Sequence, residues 1–250
     1  MLAFLTLARR ELASYFLSLT GYLIIAAAVF LMGISFVVLL GKLQQEATPM
    51  PVTELFYGTW LFWIILLVTT PVITMRLFAL EKFSGTFETL MTAPVSDLQV
   101  VMAKFSAAMV FYLVMWLPLL GCLFIVRHYV KDAGAFDAGA LAGTFVGILL
   151  IGSLFISLGA CASASTRNQV VAAMVSLLCG ASLLLIGVLA NQLPAHASWQ
   201  TQILAWFDLS EQMHDFVRGV VDTRYVVLYL SLTLFFLFLT LRIVESRRWK

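Results

Sequence analysis

Hydrophobic positions run almost unbroken along this chain, and polar ones gather in a few short intervals. Stretches free of Asp, Glu, Lys and Arg cover 12–41, 55–75, 105–126, 138–166, 168–207 and 225–241. A helix crossing hydrocarbon needs ~20 largely apolar residues. The runs therefore predict six spans, near 21–41, 56–76, 105–126, 139–163, 169–190 and 225–242. Backbone amides cannot stay unpaired in hydrocarbon, so each run is expected to be helical, and none shows the ~10-residue alternation of a barrel strand. The expected fold is all-α: one polytopic transmembrane domain over 1–250 with six transmembrane helices.

The polar intervals have patterns of their own. In 1–20, Leu5, Ala8, Leu12, Tyr15 and Phe16 share one helical face while Arg10, Glu11 and Ser14 fall elsewhere. This suits an N-terminal interfacial helix, with a straight extension of the first span as the other reading. In 81–97, "EKFSGTFETLMTAPVSD", Gly85 gives flexibility and Thr86 is a suitable N-cap for a short helix with Glu88 in its first turn. Pro94 stops that helix, and Ser96 with Gln99 forms a capping box that starts a helix running through Lys104 into the third span. A passive linker between two spans needs only a few residues. A short, capped helix between spans 2 and 3 is instead suited to being gripped by a soluble partner.

Between spans 5 and 6, residues 191–224 predict two short re-entrant or interfacial helices. Trp199, Ile203, Trp206 and Phe207 recur at helical spacing; Asp208 caps the second helix with Glu211 three residues on, and Gly219 offers a stop. Small residues mark expected helix-packing surfaces: Gly143, Gly147 and Gly152 in the fourth span, Ser176 and Gly180 in the fifth.

Composition agrees with a bilayer: 62% hydrophobic, 11% charged, mean hydropathy +1.01. With six spans both termini lie on one side. That side carries Arg9, Arg10, Arg76, Lys82, Lys104, Arg167, Arg242, Arg247, Arg248 and Lys250, against Lys42, Arg127, Lys131, Arg218 and Arg224 opposite. The positive-inside rule makes both termini and the 81–97 segment cytoplasmic, in a bacterial inner membrane. The N-terminal region reads as a retained anchor, lacking a signal-peptide cleavage pattern.

Candidate chemistry is sparse. Cys122, Cys161 and Cys179 are isolated and read as packing residues; the three histidines are scattered; no metal-ligand spacing occurs. A net charge of +2 makes no case for nucleic acid. No G-x-x-x-x-G-K-[ST] is present, so no P-loop ATP site is expected in this chain. The predicted span interiors hold no acidic or basic residue, which counts against an ion-coupled secondary transporter. No nucleophile and base pair suggests an intramembrane enzyme.

The segment "EKFSGTFETLMTAPVSDLQVVMAKF" resembles the coupling region of ABC transporter type 2 permeases, and more closely the gliding-motility, GldF-like branch. The resemblance rests on Glu81, Gly85, Thr86, Glu88, Leu90, Thr92, Pro94, Ser96, Lys104 and Phe105. Ala103 stands where that family usually has glycine, and Phe83 where a basic residue is common. "RRELASYFLSLTGYL" is similar to the family's N-terminal segment through Glu11, Tyr15 and Phe16; the last loop and span are similar through Phe216, Arg218, Gly219, Asp222, Tyr229 and Ser231. The resemblance implies a membrane subunit that pairs with a second copy or a related permease. Its coupling helix would dock on a separate ABC ATP-binding subunit that holds ATP and Mg. Export, or force transmission to an envelope accessory protein, are the tasks it implies.

Overall fold

The computed structural model describes residues 2–45, 56–57, 59–87, 95–129, 138–192 and 206–246, and these are mostly helical with no strand among them. Six helical spans are long and apolar enough to cross a membrane: α2 (Leu19–Gln45), α3 (Trp60–Thr74) together with the short helix that continues it to Ser84, α5 (Asp97–Tyr129), α6 (Ala138–Ser165), α7 (Gln169–Gln192) and α9 (Thr223–Ser246). Three shorter helices accompany them: α1 (Leu2–Phe16), α4 (Ala79–Ser84) and α8 (Leu209–Val217).

α6 is the central helix. Its span is 78% buried, whereas α7 and α9 are each 22% and α2 is 28% buried. Small residues make this position possible, because a helix carrying Gly and Ser lets neighbouring backbones approach closely. A Cβ on Gly152 would lie 2.2 Å from the Tyr112 ring of α5, and one on Gly159 would lie 2.1 Å from Thr74 Oγ1 of α3. Gly180 of α7 faces the Phe155 ring, and Ser176 is buried near Gly159. The less buried spans carry Leu23, Phe30, Leu178, Leu185, Leu234 and Phe235 outward, as lipid-facing helices do.

α1 is a separate helix, not an extension of α2. The chain breaks at Leu17–Ser18, where Ser18 Oγ accepts the Gly21 amide at 3.1 Å, and a Cβ on Gly21 would come within 1.9 Å of the Tyr15 carbonyl. α1 then packs chiefly against α5. Tyr15 stacks on Phe111 at 4.9 Å, and its hydroxyl donates to the Ile73 carbonyl of α3 at 2.9 Å. Burial, with the Glu11 carboxylate adding to it, pushes the Tyr15 hydroxyl pKa up, which keeps it a donor. The inward face differs from the sequence expectation: Leu5 is exposed, while Glu11, expected off the apolar face, points inward beside Leu7, Leu12 and Tyr15.

The capping box ahead of the third span is present. Ser96 Oγ accepts the Gln99 amide at 3.3 Å, and Gln99 Oε1 accepts the Ser96 amide at 3.4 Å. α5 then continues through Pro118 to Tyr129. At the other end of the bundle, Asp208 Oδ1 accepts the amides of Ser210 and Glu211 at 3.0 and 3.3 Å, starting α8, and Gly219 at φ 84° follows its end. The first of the two expected short helices falls mostly outside the described residues; Trp206 and Phe207 form a turn.

Candidate functional site

α3 does not run straight into the polar segment that follows it. Pro71 removes one backbone donor near its end. The chain bends through 75–78 and restarts as α4, so this elbow has backbone groups in need of partners. Ser163 of α6 supplies them: its Oγ accepts the amides of Phe78 and Ala79, both at 3.1 Å, and donates to the Met75 carbonyl at 3.2 Å. One buried hydroxyl thus ties both sides of the bend to the central helix. Ser163→Ala is expected to cost about 2 kcal/mol, because two buried amides lose their acceptor. A thermal melt in detergent measures it, and an unchanged melt would remove Ser163 from the elbow.

Beyond the elbow, α4 is short, and Gly85 at φ 75° ends it. Sequence reasoning missed α4 and took Gly85 as a flexible lead-in to an N-cap at Thr86. Gly85 is instead the left-handed C-cap of α4, a conformation that glycine adopts without a Cβ penalty. Thr86 already lies in a helical turn with Phe87, and its hydroxyl contacts Ser84 Oγ at 2.8 Å. Glu88, Leu90, Thr92 and Pro94 lie outside the described residues. Lys82 holds α4 down by donating to the Ala164 carbonyl, and its ammonium sits 5.2 Å from the Phe87 ring centre.

Four charges meet beside α4. Lys104 Nζ lies 2.9 Å from Glu81 Oε1 and 3.2 Å from Glu11 Oε1; Arg10 Nη2 lies 2.9 Å from Glu11 Oε1 and 3.3 Å from Glu81 Oε1. The signs alternate around the group, which joins α1, α4 and α5. The Lys104 side chain is 3% exposed and that of Arg10 57%, so the lysine is the buried anchor and the arginine the wet rim. Lys104 also lies 5.4 Å from the Phe78 ring centre. The hydrogen bond to Glu11, reinforced by attraction to Glu11 and Glu81 and opposed by partial burial, holds the Arg10 guanidinium pKa above its ordinary value. The group borders a cavity of about 730 Å³ reached also by Arg76, Leu80 and Thr86. Arg76 donates to Thr20 at the start of α2, which draws that helix into the same junction.

Of the expected coupling residues, the structure places Glu81 in this ionic group, Thr86 on the cavity wall, Gly85 at the helix end and Ser96 at the start of α5. Arg10 and Ser163 were not singled out from sequence, nor was the inward place of Glu11 and Lys104 in the ionic group. One signal was available for Glu11: it lies four residues after Leu7 and four before Tyr15, so it interrupts an apolar stripe. A charge there requires a partner.

The packing and external-loop residues, treated separately in the sequence, meet at the opposite end of α6. A Cβ on Gly143 would lie 2.3 Å from the Phe216 carbonyl, and one on Gly147 would lie 2.7 Å from Met213 Sδ. Gly219 abuts Gly139 and Ala140. Asp222 accepts the Arg224 amide at 2.8 Å and starts α9, and Arg218 follows α8 as its exposed C-cap. These contacts seat α8 on the first turns of α6. No group of His, Cys, Asp and Glu able to hold a metal occurs among the described residues.

The arrangement joins an interhelical polar segment to three transmembrane helices through charge pairs and one hydroxyl. No curated protein matches the chain. Residues 19–182, about two-thirds of its length, match the family model described as ABC-2 family transporter protein. The match covers α2 to most of α7 and includes Glu81, Lys104 and Ser163, with α1 outside it. The chain is therefore a multi-pass membrane protein that belongs to the ABC-2 transporter family, a permease subunit and not itself the ATPase.

Proposed function

We propose that this permease couples ATP hydrolysis in a separate ABC ATP-binding subunit, which holds ATP and Mg, to movement of its own spans in an export-type transporter. The complex pairs two permeases, identical or related, in a bacterial inner membrane with α1 and the 81–97 segment on the cytoplasmic side. Family membership supports the ATP-binding partner and pairing. The observation that carries the reading is the ionic junction of Glu81 with Lys104, Arg10 and Glu11.

A push on 86–94 would reach α4 directly. From α4 it has two routes: through Glu81 and Lys104 to α5, and through the Ser163-held elbow to α3 and α6. Charge pairs suit this task because their attraction falls slowly with distance, unlike van der Waals contact. They hold the junction together while the helices tilt.

The test is ATPase stimulation in the assembled, reconstituted complex. Glu88→Lys, or deletion of 85–92, is expected to reduce stimulation to the level of the ATP-binding subunit alone while the permease remains in the membrane. Unchanged stimulation would refute the assignment. Orientation is read by placing a cysteine at Ser96 or at Asp222 in a cysteine-free background. An impermeant maleimide added to intact cells should label Asp222→Cys and spare Ser96→Cys; the reverse pattern would overturn the topology.

A further inference from the structure

The ionic group leaves the wall of its own cavity out of balance. That space of about 730 Å³ is framed by α1, the elbow, α4 and α5, and its charged lining residues are Arg10, Arg76 and Lys104 against Glu11 and Glu81. Three cations against two carboxylates leave one positive charge over. Lys104 and Arg10 each lie within 3.3 Å of both carboxylates. Arg76 pairs with no carboxylate among the described residues; its guanidinium donates to the neutral hydroxyl of Thr20, which leaves its charge uncompensated.

The place of that charge says which anion it meets. Thr20 lies in the first turn of the span Leu19–Gly41, so the contact holds Arg76 where a helix enters hydrocarbon. Leu19 and Leu23, one position before Thr20 and three after it, are 82% and 67% exposed. Outside the contact, therefore, is the apolar flank of a membrane span, and an arginine at that depth reaches for the polar layer of the bilayer. Phosphate is the anion of that layer. The planar guanidinium can hold two of its oxygens at once, and basic pockets between transmembrane helices take acidic lipid headgroups. A phosphate diester also carries one negative charge, which matches the single surplus on the cavity wall.

We propose that Arg76 binds the phosphate of an anionic phospholipid whose headgroup enters this cavity, while its acyl chains follow the outer side of α2 past Leu19 and Leu23. Arg10, at the exposed rim of the same cavity, adds to the attraction. Lipid seated there ties the start of α2 to the elbow and to α1, so the acidic-lipid content of the membrane sets how firmly the junction is held. The inference rests on the chain being a membrane protein; it needs neither the coupling role nor a particular leaflet.

The experiment titrates dioleoylphosphatidylglycerol, and separately dioleoylphosphatidylcholine, into the delipidated full-length permease in detergent, with native mass spectrometry counting bound lipids. The first phosphatidylglycerol is expected to bind about fivefold more tightly than the first phosphatidylcholine, the contribution of one basic residue at a membrane surface. Arg76→Gln should abolish that preference. Arg9→Gln, at an exposed arginine outside the cavity lining, should keep it. Equal binding of the two lipids overturns the proposal, as does a preference that survives Arg76→Gln or is lost equally in Arg9→Gln. Should Arg76→Gln fail to fold, Ser14→Glu decides, because it adds a carboxylate to the exposed side of the cavity without touching the Arg76 contact. An undiminished preference there overturns the inference. Phosphatidylglycerol should also raise the melting temperature. Inorganic phosphate at the same concentration should not; an equal rise would mean that the cavity takes a free anion and no lipid.

Discussion

Lys104→Met is expected to destabilise the permease by about 3 kcal/mol, because it leaves Glu11 and Glu81 facing each other in a buried place with only Arg10 nearby. Removing one member of a buried ion pair costs far more than the pair contributes, since the remaining charge loses both water and partner. Arg10→Ala should cost under about 1 kcal/mol, because that side chain is more than half exposed and its interaction is screened by solvent. The triple variant Lys104→Met, Glu11→Gln, Glu81→Gln should recover most of the loss, since neutral groups there need no counter-charge. Melting of the purified protein in detergent ranks the three. If Lys104→Met melts like the parent, or Arg10→Ala is the worse of the two, the lysine is not the anchor. The triple variant has a second use: a stable protein with weakened ATPase stimulation would separate the junction's role in coupling from its role in folding.

The same replacement at four glycines should have opposite outcomes. Gly152→Leu drives a side chain into the Tyr112 ring, and Gly159→Leu drives one into Thr74 near the elbow, while Gly33 and Gly121 face open space. Overpacking a closed interface costs about 1–3 kcal/mol and sometimes more. At Gly152 the obstructing group is a rigid, fully buried ring, so the upper end of that range is expected. Gly33→Leu and Gly121→Leu should stay within about 0.5 kcal/mol of the parent, or gain slightly from better helix propensity. Yield of monodisperse protein and melting temperature measure both classes. Equal damage at all four positions would mean that Gly33 and Gly121 also lie in an interface, as they would against a second permease.

Much of this architecture was legible along the chain. The six spans follow from run length alone, and the helix starts at Ser96 and Asp208 follow from side chains that cap amides two or three residues away. Such interactions are local and need no knowledge of the fold. Where the sequence reading went astray, a distant partner had changed a local preference. Gly85 was placed before a helix because nothing nearby announced α4; that helix exists where Ser163, 84 residues from Ala79, satisfies its first amide. Glu11 was assigned to the polar face because charge ordinarily seeks water, and it lies inward because Lys104, 93 residues away, meets it there.

What the amino-acid order determined by itself is which segments leave water, where the side-chain-capped helices begin, and that no P-loop or metal-ligand spacing lies along the chain. The free energy of transferring ~20 apolar residues, and the reach of a capping side chain, are properties of short windows. Which helix occupies the centre and which charges neutralise one another were decided only by tertiary packing. Close approach at the small residues of α6 brings together groups that no local pattern relates, and at those distances electrostatics and sterics, not periodicity, select the arrangement.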